Sequence, residues 1–260
     1  MSYWEIAPPA ALSDIVRYFW IIESNEDPQT TSAYRLFAES SPGLVFFYRH
    51  NCGIVSGLTE THREFNMNGS FGMVGAYLYP YAIPLLFRET SEKLSNATLE
   101  ISEFLGSEGE RLKDRVMNSS SNNERVVVIG DYLLERMNKV SEMENCLHAG
   151  VREIVRCNGD VSLDGLVADL GFSARHFDRK FITAVGIPPK IFSRLIRFQS
   201  TLQLSKKMRI RNLTELAMNA GYCDQSHFIR DFKEFSGLTP SSYFKMPTHD
   251  IADNFVRLSA

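Results

Sequence analysis

The sequence predicts two domains of different fold class. The first is a β-rich α+β domain, a small barrel or sandwich with flanking helices, and the second is all-α, with two helix-turn-helix units joined by a long helix. Short aromatic and β-branched segments bounded by turn residues occupy about 30–95. Helical periodicity follows residue 95, and one helical pattern occurs twice between 166 and 244. We expect the domains to span 1–145 and 146–260.

Composition narrows the class of protein. Of the 260 residues, 44% are hydrophobic and 12% aromatic, enough to fill real cores, which excludes a disordered chain. No apolar run approaches the ~20 residues of a membrane span, and the amino terminus lacks the pattern of a signal peptide, so we expect a cytoplasmic protein without a membrane partner. The four cysteines have neither C-x-x-C nor zinc-finger spacing; we expect free thiols, no metal and no cofactor.

The net charge of −3 hides an asymmetry along the chain. Residues 148–260 contain 16 Lys and Arg against 11 Asp and Glu, whereas residues 1–147 contain 12 and 20. Between 171 and 211, ten basic residues accompany a single acid, Asp178. Charge of one sign on one segment favours a polyanionic partner over an ordinary solvated surface. The ten are Arg175, Arg179, Lys180, Lys190, Arg194, Arg197, Lys206, Lys207, Arg209 and Arg211.

In the amino-terminal part, "AALSDIVRYFW" places apolar residues at helical spacing and predicts a short amphipathic helix. Its apolar positions are Leu12, Ile15, Val16 and Phe19. The segments "GLVFFYRHN", "CGIVSG" and "SFGMVGAYLYP" then have the composition of strands and turns.

Two capping boxes predict helix starts, Ser121 with Glu124 and Ser141 with Glu144. The first helix has an apolar stripe, which either packs on its own domain or forms a dimer interface. The second helix ends at Gly159. The apolar residues of the first are Val126, Ile129, Leu133 and Met137, and those of the second are Leu147, Val151, Ile154 and Val155.

An internal repeat occupies most of the second domain. "LVADLGFSARHFDRKFITAVGIPPKIF" aligns with "LAMNAGYCDQSHFIRDFKEFSGLTPSSYF", with an offset of 50 before the turn and 51 after it. Each copy has a short apolar helix, a glycine, an N-cap candidate (Ser173 or Asp224) and a second helix with two phenylalanines one turn apart. This order is typical of a helix-turn-helix, whose second helix enters the major groove. The predicted units span 161–186 and 212–237, with a linker helix over 188–207.

The doubled pattern resembles the DNA-binding domain of the AraC/XylS family of bacterial transcription regulators. The second copy has the most specific elements: Gly-Tyr, Gln-Ser-His-Phe, Arg-x-Phe, Gly and Thr-Pro-x-x-Tyr. The resemblance implies a sequence-specific regulator whose partner is double-stranded DNA and which is not an enzyme. RNA polymerase, a small-molecule effector and a homodimer remain open as further partners.

The outward positions of the two recognition helices are the candidate DNA contacts. Arg suits guanine, Gln suits adenine, Asp accepts from cytosine, and Ile packs on a thymine methyl. Lysines and helix N-termini suit phosphates. We expect base contacts from Arg175, Asp178, Arg179, Gln225, Ser226, Ile229 and Arg230. We expect phosphate contacts from Ser173, Lys180, Lys190, Asp224, His227 and Lys233.

The amino-terminal part more loosely resembles a companion domain of some AraC-type regulators. The residues that carry this resemblance are "LSDIVRYFWIIES", "SPGLVFFY", "GAYLYPYAIPLLF" and the capped helix "SNNERVVVIGDYLLERM". Relatives usually have Gly-x-x-Phe-x-Pro-Gly-Gly where this chain departs after Pro80.

Three readings of this part stay open: a sensor of a small ligand or a partner, a dimerisation module without a ligand, and an enzyme fused to a DNA-binding domain. A pocket is predicted from Trp20, Tyr48, His50, Tyr77 and Tyr79, with His62 as a further candidate, although aromatic residues also commonly fill cores. The enzyme reading would depend on Cys52, His50 and His62, which match no catalytic motif.

Overall fold

A computed structural model of the chain describes residues 1–27, 29–140, 145–207, 212–246 and 254–258. Its contacts divide the chain into two units. The first unit comprises Met1–Ser32, Ser41–Leu58 and Asn66–Met143. The second comprises Glu144–Ala260 together with two segments from early in the sequence, Ala33–Ser40 and Thr59–Phe65. A division of the chain at residue 145 leaves these two segments out of the second unit.

The helices and strands follow the predicted order of classes, β-rich first and helical second. The strands are β1 (Ser2–Ile6), β2 (Val16–Ser24), β3 (Thr31–Leu36), β4 (Gly43–Phe47), β5 (Cys52–Ser56), β6 (Arg63–Asn68), β7 (Phe71–Leu78), β8 (Thr98–Glu100) and β9 (Phe255–Arg257). The helices are α1 (Ala82–Phe87), α2 (Ser91–Leu94), α3 (Ile101–Leu105), α4 (Ser107–Met117), α5 (Asn122–Met137), α6 (Asn145–Arg156), α7 (Leu163–Asp169), α8 (Ala174–Val185), α9 (Pro189–Lys207), α10 (Leu213–Asn219), α11 (Gln225–Ser236) and α12 (Pro240–Tyr243). Ser141 and Glu144, the second predicted capping box, lie outside the described residues.

The first unit is built on a six-stranded sheet in the order β1-β2-β7-β4-β5-β8. All of its neighbouring strands run antiparallel. The remaining strands form a three-stranded sheet in the order β6-β3-β9. The pairing of β3 with β9 adds a strand to the carboxy-terminal region that the all-α prediction did not contain.

The predicted helix over Leu12–Phe19 is wrong. A short 3-10 turn occupies Ala10–Leu12, and β2 begins at Val16. The four apolar residues of the predicted helix are buried, as the pattern required. The conformation differs because "VRYFWIIES" is rich in β-branched and aromatic residues and pairs with β1 and β7 on its two edges. Tertiary pairing therefore overrides the helical spacing.

One face of the sheet packs on the helices of the first unit. Phe19, Val74 and Leu44 belong to a single apolar cluster that also contains Ile129 and Leu133 of α5. Ser121 caps α5 by accepting from the N–H of Glu124, as predicted. Val126 and Met137 pack against the same cluster, so the apolar stripe of α5 serves its own unit rather than a dimer interface.

The opposite face of the sheet has an aromatic cluster. The rings of Trp20 and Tyr77 lie with centroids 5.6 Å apart, and Tyr18 meets Tyr77 at 5.4 Å. Gly75 makes room for the indole, because a Cβ there would lie 2.7 Å from Trp20 Cζ2. Burial, with Tyr18 and Glu5 nearby, raises the pKa of Tyr3 far above its usual value.

A polar network ties α5 to the edge of the sheet. Glu23 of β2 accepts hydrogen bonds from Tyr48 Oη at 2.5 Å and from Asn122 Nδ2 at 3.0 Å. The Arg125 guanidinium lies 4.1 Å from the centroid of the Tyr48 ring. The hydrogen bonds from Tyr48 and Asn122 lower the pKa of Glu23, because both stabilise the ionised carboxylate.

The second unit contains the two copies of the repeat. In each copy the phenylalanines are fully buried, Phe177 and Phe181 in α8, and Phe228 and Phe232 in α11. Gly171 and Gly221 adopt positive φ between the helices of each copy. Gly186 and Gly237, also at positive φ, end α8 and α11. The linker α9 begins at Pro189 as the sequence predicts.

A buried ion pair joins α9 to α11. Arg194 donates to Asp231 Oδ1 from Nη2 at 2.7 Å and from Nε at 3.2 Å, and Asp231 is fully buried. Arg194 also contacts the exposed Glu234, and its guanidinium lies 5.3 Å from the Phe235 ring centroid. Burial of Arg194 opposes its charge, but the two carboxylates have the larger effect and raise the pKa of Arg194.

No helix within the described ranges is both long and apolar enough to cross a membrane.

The Arg194→Met variant tests the buried pair. It leaves the Asp231 carboxylate buried without a cation, and we expect the free energy of unfolding to fall by about 3–5 kcal/mol. Glu234→Gln, which removes only the exposed partner, should cost less than about 1 kcal/mol. Urea denaturation followed by circular dichroism measures both. Equal losses would show that Asp231 does not depend on Arg194.

The network around Glu23 predicts a dependence of stability on pH. The pKa of Glu23 is lower in the folded state than in the unfolded state. Glu23 therefore stabilises the fold at pH values above its unfolded pKa, and this stabilisation is lost as the pH falls through its folded pKa. Glu23→Gln should therefore lower the unfolding midpoint at pH 7, and the difference from the native chain should shrink towards pH 3. A difference that stays constant over this range would contradict a role of the ionised carboxylate.

Candidate nucleic-acid interface

The first candidate recognition helix is α8. Ser173 occupies its N-cap position without a capping hydrogen bond from its side chain. Arg175, Asp178 and Arg179 are exposed, whereas Ile182 is half-buried. Three predicted base contacts therefore share the solvent side of a helix whose phenylalanines face inward. Arg179 Nη2 lies 3.5 Å from His176 Nδ1, one turn before it.

The second candidate is α11. Asp224 is its N-cap, and Oδ1 accepts from the N–H of His227 at 2.8 Å. Ser226 and Arg230 are exposed, and Gln225 and Ile229 are half-buried. These side chains lie at the same end of the helix as the cap, which is the end that helix-turn-helix proteins present to base edges.

Gln225 has a partner within its own unit. Its Oε1 accepts from Thr214 Oγ1 of α10 at 2.8 Å. The bond orients the side-chain amide before any ligand arrives, and it leaves the amide N–H groups as the remaining donors. An oriented amide loses less conformational freedom on contact with a base than a mobile one.

The two histidines occupy equivalent repeat positions but have different neighbours. His176 stacks on Phe172 with centroids 5.4 Å apart. His227 meets Tyr222 edge-on at 5.4 Å, and its Nε2 lies 3.7 Å from Asp231 Oδ2. Both are half-buried against their own unit.

The predicted phosphate contacts have differing exposure. Lys190 at the start of α9 and Lys233 in α11 are exposed, whereas Lys180 is half-buried. Asp224 uses its carboxylate to cap α11, so a phosphate at this terminus would meet the other N–H groups of the first turn and a negative charge beside them.

Two members of the basic stretch turn inward. Arg194 pairs with Asp231, as described above, and Arg197 donates from Nη2 to the carbonyl of Gly159 at 2.8 Å and lies over the Tyr222 ring. They hold the helical unit together and do not extend a DNA-facing surface. The sequence has a signal for the first of them: Asp231 lies at i+3 in the buried stripe that begins at Phe228, and a buried acid requires a partner. The side chain of Lys207 and all of Arg209 and Arg211 lie outside the described residues.

The predicted ligand pocket is not formed as one group. Trp20 and Tyr77 pack together, but Tyr48 lies against Gly72, five residues before Tyr77 along β7. Five strand residues span about 17 Å, so one small cavity cannot include both ends. Tyr79 stacks on Tyr81, and His50 is exposed in the turn after β4. Of the predicted set, only Trp20 and Tyr77 share a site.

The residues of the enzyme reading are also dispersed. Cys52 begins β5, and burial and the nearby Glu100 raise the pKa of its thiol, which disfavours the thiolate. His50 is exposed in the first unit, whereas His62 belongs to the second and lies against Gly237. Among the described residues, no three His, Cys, Asp or Glu side chains are arranged to hold a metal ion. Cys52, Cys157 and Cys223 are free thiols.

Two family comparisons match parts of the chain. Residues 4–100 match a domain of unknown function (DUF6597), and residues 166–246 match a helix-turn-helix domain. The second match covers α8 and α11, with the linker helix between them.

The chain is also similar to named proteins. It is 31% identical over 87 residues to the F1 operon positive regulatory protein of Yersinia pestis, an alignment that covers 34% of this chain and 29% of that protein. The chain thus spans less than a third of the length of this relative. Among solved structures, ToxT from Vibrio cholerae aligns over 96% of this chain and 100% of its own at 12% identity, with a TM-score of 0.46. The carboxy-terminal domain of AraT, a response regulator from Geobacillus stearothermophilus, aligns over 42% and 91% at 21% identity, with a TM-score of 0.38. The match at 166–246 shows that the carboxy-terminal region contains a helix-turn-helix domain, in agreement with the resemblance of its repeated pattern to the AraC/XylS family of transcription regulators.

Proposed function

We propose that this protein is a sequence-specific DNA-binding transcription regulator whose recognition helices, α8 and α11, enter successive major grooves. One observation carries the proposal. Two helices with buried phenylalanines at equivalent positions, each preceded by a glycine at positive φ, present different polar side chains to solvent. Successive major grooves on one face of B-DNA are about 34 Å apart. One chain would then read an asymmetric site without a palindrome.

Each helix would read its own set of bases. On α8, Arg175 suits the O6 and N7 atoms of guanine, Asp178 suits cytosine N4, and Arg179 suits a base or a phosphate. On α11, Gln225 suits adenine through its amide and Ile229 suits a thymine methyl. The remaining predicted base contacts of α11 are Ser226 and Arg230.

Phosphate contacts would set the register of the domain on the duplex. Lys190 and Lys233 are exposed, and a lysine side chain has no bidentate geometry for a base. These two residues therefore suit contacts with phosphates of the DNA backbone. Lys180, Ser173, Asp224 and His227 complete the proposed set, the last three through the N-termini of α8 and α11. Salt dependence of binding would report how many of these contacts form.

The first unit would act as the regulatory part. The Nε1–H of Trp20 is buried without a hydrogen-bond partner among the residues that the structure describes, and such a group costs free energy unless something accepts from it. A ligand with an acceptor atom and an apolar body suits this position beside Tyr77. The alternative is a unit that only dimerises. With the α5 stripe packed inside its own unit, a dimer would use other residues such as Val127, which is 57% exposed.

Catalysis is not part of the proposed function. The raised pKa of the Cys52 thiol disfavours the thiolate that a nucleophile requires. A contact with RNA polymerase and a cytoplasmic location follow from the regulator proposal and remain predictions.

The Arg175→Ala variant tests base reading by α8. With a site obtained by selection from a random DNA pool, we expect the variant to lose about 1–3 kcal/mol of affinity for the selected site and much less for random DNA. Lys190→Ala is the control, because loss of a phosphate contact weakens binding to both DNAs alike. Fluorescence anisotropy at fixed salt measures the affinities of the native chain and of both variants for both DNAs. Equal losses of affinity for both DNAs in Arg175→Ala would show that Arg175 contacts the DNA backbone and not a base.

A thermal-shift screen separates the sensor from the dimerisation module. A metabolite that binds beside Trp20 should raise the melting temperature of the native chain, since ligands stabilise the state they bind. Trp20→Phe removes the indole N–H together with part of the ring and should abolish the shift, whereas the exposed Trp4→Phe should keep it. Concentration-dependent sedimentation without any ligand response would favour the dimerisation module.

A further inference from the structure

A segment from early in the sequence belongs to the core of the second helix-turn-helix. Phe37 is fully buried, with its ring centroid 6.1 Å from that of Phe198 in α9 and 5.6 Å from that of Tyr243 in α12. Phe198 in turn meets Phe232 at 5.3 Å and Phe235 at 5.5 Å, both in α11. Residue 37 therefore completes the aromatic cluster that anchors the second recognition helix.

The same segment binds the end of α11 through hydrogen bonds. The backbone N–H of Ala38 donates to the carbonyl of Phe235 at 2.9 Å, and Arg35 Nη1 donates to the carbonyl of Ser236 at 3.3 Å. The last carbonyls of a helix have no partner within the helix. Residues from the amino-terminal half of the chain thus supply donors that α11 cannot supply itself.

Gln199 of α9 fixes the segment from its other side. Its Nε2 donates to the Ala38 carbonyl at 3.2 Å and to Glu39 Oε1 at 3.1 Å, and its Oε1 accepts from Ser40 Oγ at 2.5 Å. One side chain therefore uses both ends of its amide on three consecutive residues. Glu39 is buried and also accepts from Asn254 Nδ2 at 2.6 Å.

A second early segment, Thr59–Phe65, reaches the glycine that ends α11. The His62 ring lies so close to Gly237 that a Cβ there would be 2.5 Å from Cε1. Glu64 holds Arg35 at 2.5 Å, and the backbones of Glu39 and Thr59 exchange hydrogen bonds at 3.1 and 2.8 Å. The two segments therefore contact each other beside the carboxy-terminal end of α11.

We propose that Ala33–Ser40 is a positioning element for DNA reading, which fixes α11 by its carboxy-terminal end and so sets which bases its amino-terminal end reaches. The inference rests on the proposed DNA-binding function. A recognition helix needs placement within about 0.5 Å to make bidentate base contacts. If one end of α11 were loosened, the base preference of α11 would change. None of the contacts described above joins this segment to α8, so the base preference of α8 would stay the same.

The test compares two glutamines one turn apart on α9 in the full chain. Gln199→Ala removes the three hydrogen bonds to the segment, and Gln203→Ala, at an exposed position, is the matched control. Base preferences are measured at every position of the site selected by the native chain, and amide hydrogen exchange is measured over 225–243. For Gln199→Ala we expect a several-fold loss of preference in the α11 half-site only, with exchange about tenfold faster near Phe235, a loss of protection of about 1.4 kcal/mol. Gln203→Ala should match the native chain.

Other outcomes overturn the proposal. Unchanged exchange and unchanged preferences for Gln199→Ala would show that the segment only covers the helix. Equal loss in both half-sites with a lower melting temperature would show general destabilisation. Phe37→Leu, which keeps an apolar side chain in place of the ring, should reproduce the selective loss. If the native chain selects no DNA, the regulator proposal fails, yet the exchange comparison still decides whether Ala33–Ser40 holds α11.

Discussion

The packing of Phe198 is the contact on which the second unit depends. Its ring meets Phe37, Phe232 and Phe235, so α9, α11 and an early segment of the chain share one aromatic centre. Aromatic side chains bury the largest areas per residue, and pairs at 5–6 Å gain a further increment from ring geometry. Arg194, which lies on α9 like Phe198, donates a hydrogen bond to the buried Asp231 of α11. This ion pair adds a polar contact between the two helices. Hydrophobic packing and one ion pair therefore act on the same helix pair.

This arrangement separates residues that hold the fold from residues that are proposed to read DNA. The phenylalanines of α8 and α11 are buried at equivalent positions, and so they specify the helix-turn-helix and nothing about its target. Solvent-facing positions differ between the copies, since the exposed Arg175 of α8 corresponds to the exposed Ser226 of α11. Because side chains on opposite faces of a helix are independent, the target sequence of such a domain can change without any change in its core.

The sequence predicts what is local and misses what is distant. Both helix-turn-helix units and the cap of α5 at Ser121 follow from spacing, turn residues and capping within a few residues. The helix expected at Leu12–Phe19 is replaced by a 3-10 turn and the start of β2, and one of the two partners of β2, β7, lies more than fifty residues away from this segment. The docking of Phe37 on Phe198 joins residues that are even further apart, and no periodicity reports it. The position of Asp231 within an apolar stripe is a signal of a distant partner that the sequence contains and that the predictions did not use.

The chain connects the first unit covalently to the segment that contacts the second recognition helix. Ala33–Ser40 belongs to the second unit, but the chain enters it from the first unit at residue 32 and returns to the first unit at residue 41. β4 begins at Gly43, three residues after Ser40, and its Val45 pairs with Gly75, the glycine against which Trp20 packs. A ligand shifts an equilibrium only by the difference in its affinity for two states. On the proposal that Trp20 binds a ligand, such a difference would arise if binding changed the position of β4, whose first residue follows Ser40 by three positions.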